Sequence, residues 1–272
     1  MGKISLEQKN RYASKVKEYR SIIDGYLAKE QSLQNLLKQP GGQGVAYARI
    51  KLAREALTLT SYYIVVNTLS VSLLGIKNED YLADARKSVG RAIKYLEDVV
   101  TGYVDASFSD YEAQLEEIAS IGYEERYDLL KKMGFAIREI EEGFGANSKW
   151  KWSFVELWGK YATVAKNMLD LKRAYKDLDL ASEHRYIVMT YVGFVKRLFQ
   201  STADRYREKY EMFSNKFDDF KQAILFLTAL RRFHTVFGER AEADELKKKI
   251  DIWSSKLESD QKKREEEQAQ KR

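Results

Sequence analysis

A chain of 272 residues with a single proline, Pro40, has few ways to fold other than as helices. Proline fixes φ and lacks an N–H, so it punctuates loops, turns and strand edges. Average usage would place roughly 14 prolines in a chain of this length. Pro40 lies in Gln39-Pro40-Gly41-Gly42-Gln43-Gly44, and the other apparent breaks fall at Gly75, Gly122, Gly145 and Gly238. The resulting expectation is all-α: a single domain of about 8–9 mostly antiparallel helices in an elongated bundle over residues 1–258. A weak seam is expected near residues 143–149.

Helical periodicity carries this residue by residue. Tyr12, Val16, Tyr19, Ile23, Tyr26, Leu33 and Leu37 follow alternating spacings of four and three, broken only by Glu30 where an apolar residue is due. Ser5 and Gln8 form a capping-box pattern at the start, and Pro40-Gly41-Gly42 ends a rod of roughly 50 Å. A second helix is expected from about Val45 to Leu74. Within it Ala56–Ile76 carries no charge. That length matches a bilayer, but its threonines, serines and Asn67 favour a buried core helix over a membrane span.

The third helix should pack antiparallel to the second through Leu82, Ala85, Val89, Ala92, Leu96, Val99 and Tyr103. Ser109 and Glu112 suggest a capping box that opens a short helix. Leu157, Tyr161, Val164, Met168, Leu171, Tyr175 and Leu178 form a stripe that predicts a second long rod. Tyr186–Phe199 is apolar on nearly every side, which predicts burial. The last helix holds Leu246, Ile250, Trp253 and Leu257 in register, and residues 259–272 form a charged tail expected to fray.

Tyr81-Leu82-Ala83-Asp84-Ala85, followed by Val89 and Ala92, resembles the second helix of a tetratricopeptide repeat. The resemblance spans about 15 residues and implies an α-solenoid as the minority architecture. The tryptophan, glycine and tyrosine of the preceding repeat helix are not in place.

Several chemistries are excluded by residue type. No cysteine is present, which removes disulfides and thiolate chemistry. A di-metal carboxylate bundle needs Glu-x-x-His, yet Ala181 and Arg231 stand three residues before His184 and His234. Gly41-Gly42-Gln43-Gly44 lacks the Gly-Lys-Ser/Thr end of a phosphate loop. No metal, cofactor or catalytic residue is therefore nominated, and the chain is read as a non-enzyme. The net charge of +6 is spread over 88 charged side chains, too thin an excess to point to nucleic acid by itself. The first residues enter a charged helical pattern without an apolar leader, which makes the cytoplasm the default compartment.

Three surface features remain as candidate partner-binding sites. Lys149-Trp150-Lys151-Trp152 alternates basic and aromatic side chains, a pattern suited to stacking, membrane interfaces or protein anchoring. The N-terminal helix carries Lys9, Arg11, Lys15 and Lys17. From Asp105 to Asp128 the acids Asp110, Glu112, Glu116, Glu117, Glu124 and Glu125 stand among eight carboxylates against the single Arg126. Opposed fields of this kind steer protein association and set its register. The expected function is a protein-binding adaptor or assembly component whose partner is another protein or a second copy. The alternative is a module for an anionic surface, nucleic acid or membrane, using the basic N-terminal helix and Lys149–Trp152.

Overall fold

A computed structural model describes residues 4–37, 44–146 and 148–270. Among these residues there are ten α-helices and no strand. The Pro40 reversal lies outside the described residues. Backbone contacts divide the chain into two compact units, Met1–Thr101 with Tyr111–Leu157, and Gly102–Asp110 with Trp158–Arg272. The division falls inside a helix rather than in the 143–149 loop.

The first unit is built around α2 (Val45–Leu74), which packs against α1 (Leu6–Leu37), α3 (Glu79–Glu97) and α5 (Tyr123–Phe144). α1 opens on the expected capping box: Ser5 N–H donates to Gln8 Oε1 at 2.8 Å, and Gln8 N–H to Ser5 Oγ at 3.1 Å. α2 is long and apolar enough to cross a bilayer, yet Leu52, Ala53, Ala56 and Val66 are fully enclosed by its neighbours. Ser88 of α3 donates to Ala56 O at 2.8 Å, a hydrogen bond that requires close helix approach. Gly75 ends α2 with φ 66°, a left-handed conformation that costs glycine little, and its N–H reaches Val71 O. Asn78 then caps α3 by accepting from Tyr81 N–H.

Several expectations fail here for local reasons. α3 stops at Glu97, so Val99 and Tyr103 lie beyond it, and Tyr103 is exposed. The Ser109–Glu112 capping box does not form. Asp110 accepts instead from Ser107 N–H at 3.2 Å in a 3₁₀ turn, Phe108–Asp110, and α4 (Glu112–Glu117) starts after it without a side-chain cap. The helix lengths of α2 to α5, 30, 19, 6 and 22 residues, do not recur as a repeat unit, which removes the solenoid reading.

The helix α6 (Lys151–Asn167) contributes to both units. The expected long rod breaks after it. Asn167 is buried and its side chain donates to Tyr103 O, while Asp170 accepts from Arg173 N–H at 2.9 Å and starts α7 (Leu171–Asp177). An N-cap that satisfies an orphan N–H competes with helix continuation, and here it prevails. Tyr175, assigned to the buried stripe, is exposed.

The second unit continues with α8 (Arg185–Lys209), a π turn (Tyr210–Ser214), α9 (Phe217–Val236) and α10 (Arg240–Gln270). α8 buries Val188, Tyr191, Val192, Val195, Leu198 and Phe199 as one stripe, so the apolar residues opposite it remain outside, and Tyr186 is 81% exposed. Tyr210 stacks on Phe220 at 4.8 Å, and Phe220 meets Trp253 of α10 at 5.8 Å. The tail expected to fray continues α10 as helix to Gln270. It contains neither proline nor glycine, and its lysines, arginines and glutamates have good helix propensity.

Candidate functional site

The face of α2 turned away from the core is a second heptad. Lys51, Arg54, Thr58, Ser61, Val65, Thr68 and Ser72 recur at three–four spacing, and all are exposed. The five from Thr58 onward carry no charge. Their hydroxyls are already used within the helix: Thr58 donates to Arg54 O, Ser61 to Leu57 O, Thr68 to Ile64 O and Ser72 to Leu69 O, at 3.0 to 3.2 Å. Hydroxyls bonded back to their own helix make the outward surface less polar than the sequence suggests.

α5 offers a matching outward row, the exposed Glu125, Lys132, Phe135 and Glu139 with the half-buried Asp128, opposite its buried stripe of Leu130, Met133, Ile137 and Ile140. Between the two rows lies a groove of about 860 Å³. Leu57, Leu129 and Ala136 form its buried floor, and Val65 (37% exposed) and Phe135 (52% exposed) stand at its edges. Arg54 meets Glu125 at 2.9 Å, and Lys132 meets Asp128 at 2.6 Å. Lys132 holds the Asp128 carboxyl below its ordinary pKa by hydrogen bonding and charge. A groove of this size with an apolar floor and charged rims is suited to a helix.

The residues singled out from the sequence are dispersed. Trp150 packs on Phe144 at 5.7 Å with the Arg86 guanidinium over its ring at 4.9 Å, and Lys151 lies over Trp152 at 4.4 Å. Lys149 is exposed, 5.4 Å from the Trp150 ring centre. Trp150 thus fills a junction in the first unit, with its indole Nε1 buried and without a hydrogen-bond partner. Lys9, Arg11, Lys15 and Lys17 are exposed on α1, and Lys15 bonds Glu18 at 2.8 Å.

Of the acids, Glu116, Glu117, Glu124 and Glu125 are exposed in the first unit with half-buried Glu112, whereas Asp110 belongs to the second. Arg126 does not offset them at the surface. It is buried, and its Nε and Nη2 donate to Ile121 O and Ile118 O to close the end of α4. Only Glu125 among these acids lines the groove. Phe135, Lys132, Glu139 and the α2 seam lie on faces opposite the buried stripes, and their three–four spacing is the one signal of them in the sequence.

In the second unit, Lys196 bridges both carboxylate oxygens of Glu239, and His234 Nδ1 lies 2.7 Å from Glu239 Oε2. Lys196 and His234 line a groove of about 930 Å³ beside α10. Deeper in the unit, burial pushes Lys166 down to about 8, opposed by the nearby Asp105 carboxylate, which Arg232 holds at 2.9 Å. No group of three or more histidine, aspartate or glutamate residues suited to a metal ion occurs among the described residues.

A family model matches residues 8–261, from the first turn of α1 into α10. The chain belongs to the TP0443 family. The match spans both units, so the α2–α5 groove and the groove beside α10 both lie within the family region. No curated protein and no solved structure matches the chain.

Proposed function

We propose that this member of the TP0443 family is a non-enzymatic protein-binding module, an adaptor or assembly component, that docks a helix in the α2–α5 groove. The observation that carries this is the pairing of an uncharged, internally satisfied α2 seam with the Phe135 row of α5 across a buried apolar floor. Exposed apolar surface rimmed by charge is what transient protein docking uses. A photoreactive phenylalanine analogue at Phe135 should crosslink to protein in native cells, and one at exposed Ile252 of α10 serves as the control. Crosslinking equal at both positions, or unchanged when Val65→Arg is added, counts against the groove.

A second reading, binding of an anionic surface, draws on the exposure of Lys9, Arg11 and Lys17 along α1. It requires sedimentation with anionic vesicles, or retention of nucleic acid, that falls steeply as salt rises. Loss of that binding on replacing the three bases would support it.

A further inference from the structure

Three buried polar atoms without a partner gather where α5 hands over to α6: Arg86 Nε, Ser148 Oγ and Trp150 Nε1. The Arg86 guanidinium of α3 lies 4.9 Å from the Trp150 ring centre. That keeps the two N–H donors inside the roughly 8 Å that one oxyanion spans when two of its oxygens accept bonds of about 2.9 Å. Ser148 stands two residues before Trp150, in a turn closed by Lys151 N–H on Ser148 O at 3.1 Å. Arg86 and Trp150 side chains can only donate. Buried polar groups are almost always paired, so such a cluster calls for an acceptor from outside the chain.

Charge and space point the same way. Lys77 donates to Phe144 O at 2.9 Å, and Lys149 lies 5.4 Å from the Trp150 ring centre. Phe144 itself packs on Trp150 at 5.7 Å, so both lysines flank the same corner of the first unit. Among the described residues, none of Lys77, Arg86 and Lys149 forms an ion pair. Between them, Gly145 has φ 89°, a conformation that costs glycine little. A Cβ at Gly145 would meet only the Lys77 ammonium, at 3.6 Å, which leaves the backbone open to a ligand there.

We propose that Arg86, Ser148 and Trp150, flanked by Lys77 and Lys149, form a binding site for a phosphate group as its dianion. Two negative charges match a corner holding three unpaired cations better than the single charge of a carboxylate. Tetrahedral oxygens also accept from the guanidinium, the indole N–H and the hydroxyl along different directions, whereas a carboxylate offers two oxygens in one plane. Free inorganic phosphate and the phosphate of a larger metabolite share this chemistry. The site uses no residue of the α2–α5 groove, so it stands or falls apart from the docking reading.

The test is titration of the ¹⁵N-labelled full chain with inorganic phosphate at fixed ionic strength. Four tryptophans give four indole N–H resonances, and the one lost in Trp150→Phe identifies Trp150. That resonance should move and saturate with a Kd below roughly 1 mM, while the other three stay in place. The melting temperature should rise as phosphate is added, because the ligand binds only the folded chain. Arg86→Gln should weaken binding at least tenfold, and Arg86→Lys, which keeps the charge without the planar fork, should fall between it and the wild type. Arg11→Gln on α1 should change nothing. Circular dichroism confirms that each variant stays helical.

Tighter binding of glycerol 3-phosphate than of inorganic phosphate would support a phosphate carried on a larger metabolite; equal or weaker binding would support free phosphate. A Trp150 resonance unmoved at roughly 20 mM phosphate overturns the proposal. So does acetate that binds as tightly as phosphate, or an affinity unchanged in Arg86→Gln.

Discussion

Glu30 of α1 and Arg91 of α3 form a two-pronged ion pair, with Arg91 Nε 2.9 Å from Glu30 Oε1 and Nη2 3.1 Å from Oε2. Glu30 is 5% exposed, and Tyr95 OH donates to the same carboxylate at 2.7 Å. This accounts for the one break in the α1 stripe. An apolar residue at position 30 would leave Arg91 and Tyr95 without their acceptor.

Removing one partner should therefore cost more than removing both. Glu30→Ala is expected to destabilise the protein by about 2–3 kcal/mol, below the loss for a fully buried pair because Arg91 remains partly solvated. Glu30→Leu combined with Arg91→Met should recover much of that loss. Urea titrations of the single and double variants check it. Burial and the bond to Glu30 raise Tyr95 to about 12. The unfolded tyrosine ionises first, so this group's contribution is complete below pH 10 and is lost as pH climbs toward 12.

Lys166 gives the opposite slope. An unfolded lysine keeps its proton up to about 10.5, whereas the buried one releases it near 8. Between these values the unfolded state binds more protons, so stability should rise with pH from 8 toward 10.5, by up to about 3 kcal/mol. Lys166→Met should flatten the profile between pH 8 and 10 and raise the melting temperature at pH 7. An unchanged profile would show that the amine reaches water.

Val164, fully buried in α6, tests the register of that helix. Val164→Asp should cost several kcal/mol by enclosing an unpaired carboxylate, read as a large fall in melting temperature.

The end of α10 is expected to divide at Asp260. Tyr210 OH donates to Asp260 Oδ2 at 2.8 Å, and Lys256 reaches the same oxygen at 3.0 Å. Truncation after Asp260 should change the melting temperature by only a degree or so, losing little beyond the Arg264 contact with Phe217. Truncation after Glu258 should cost about 1 kcal/mol more, because the Tyr210 hydroxyl loses its acceptor. Equal melting temperatures for the two truncations would show that Asp260 contributes nothing.

Periodicity made the helices legible wherever one face is continuously apolar. The Ser5–Gln8 cap and the glycine ends at Gly75, Gly145 and Gly238 follow from bonds between residues a few positions apart. Periodicity overruns where two local signals compete. The Leu157–Leu178 stripe continues through Asp170, yet the Asp170 side chain caps a new helix. The residues from Tyr186 to Phe199 are apolar on nearly every side, yet one stripe of α8 already fills the available contact. The groove stayed hidden because its rows lie on the polar faces of α2 and α5, and spacing alone does not reveal that two such faces are neighbours.

What the sequence by itself determined is the set of helices and most of their ends, since helix hydrogen bonds and caps join residues three or four apart. Only the tertiary structure decided which faces meet. Glu30 finds Arg91 across 61 positions of chain, and Arg54 meets Glu125 across 71. Such contacts arise when several helices bury their stripes at once, and no local pattern carries that information.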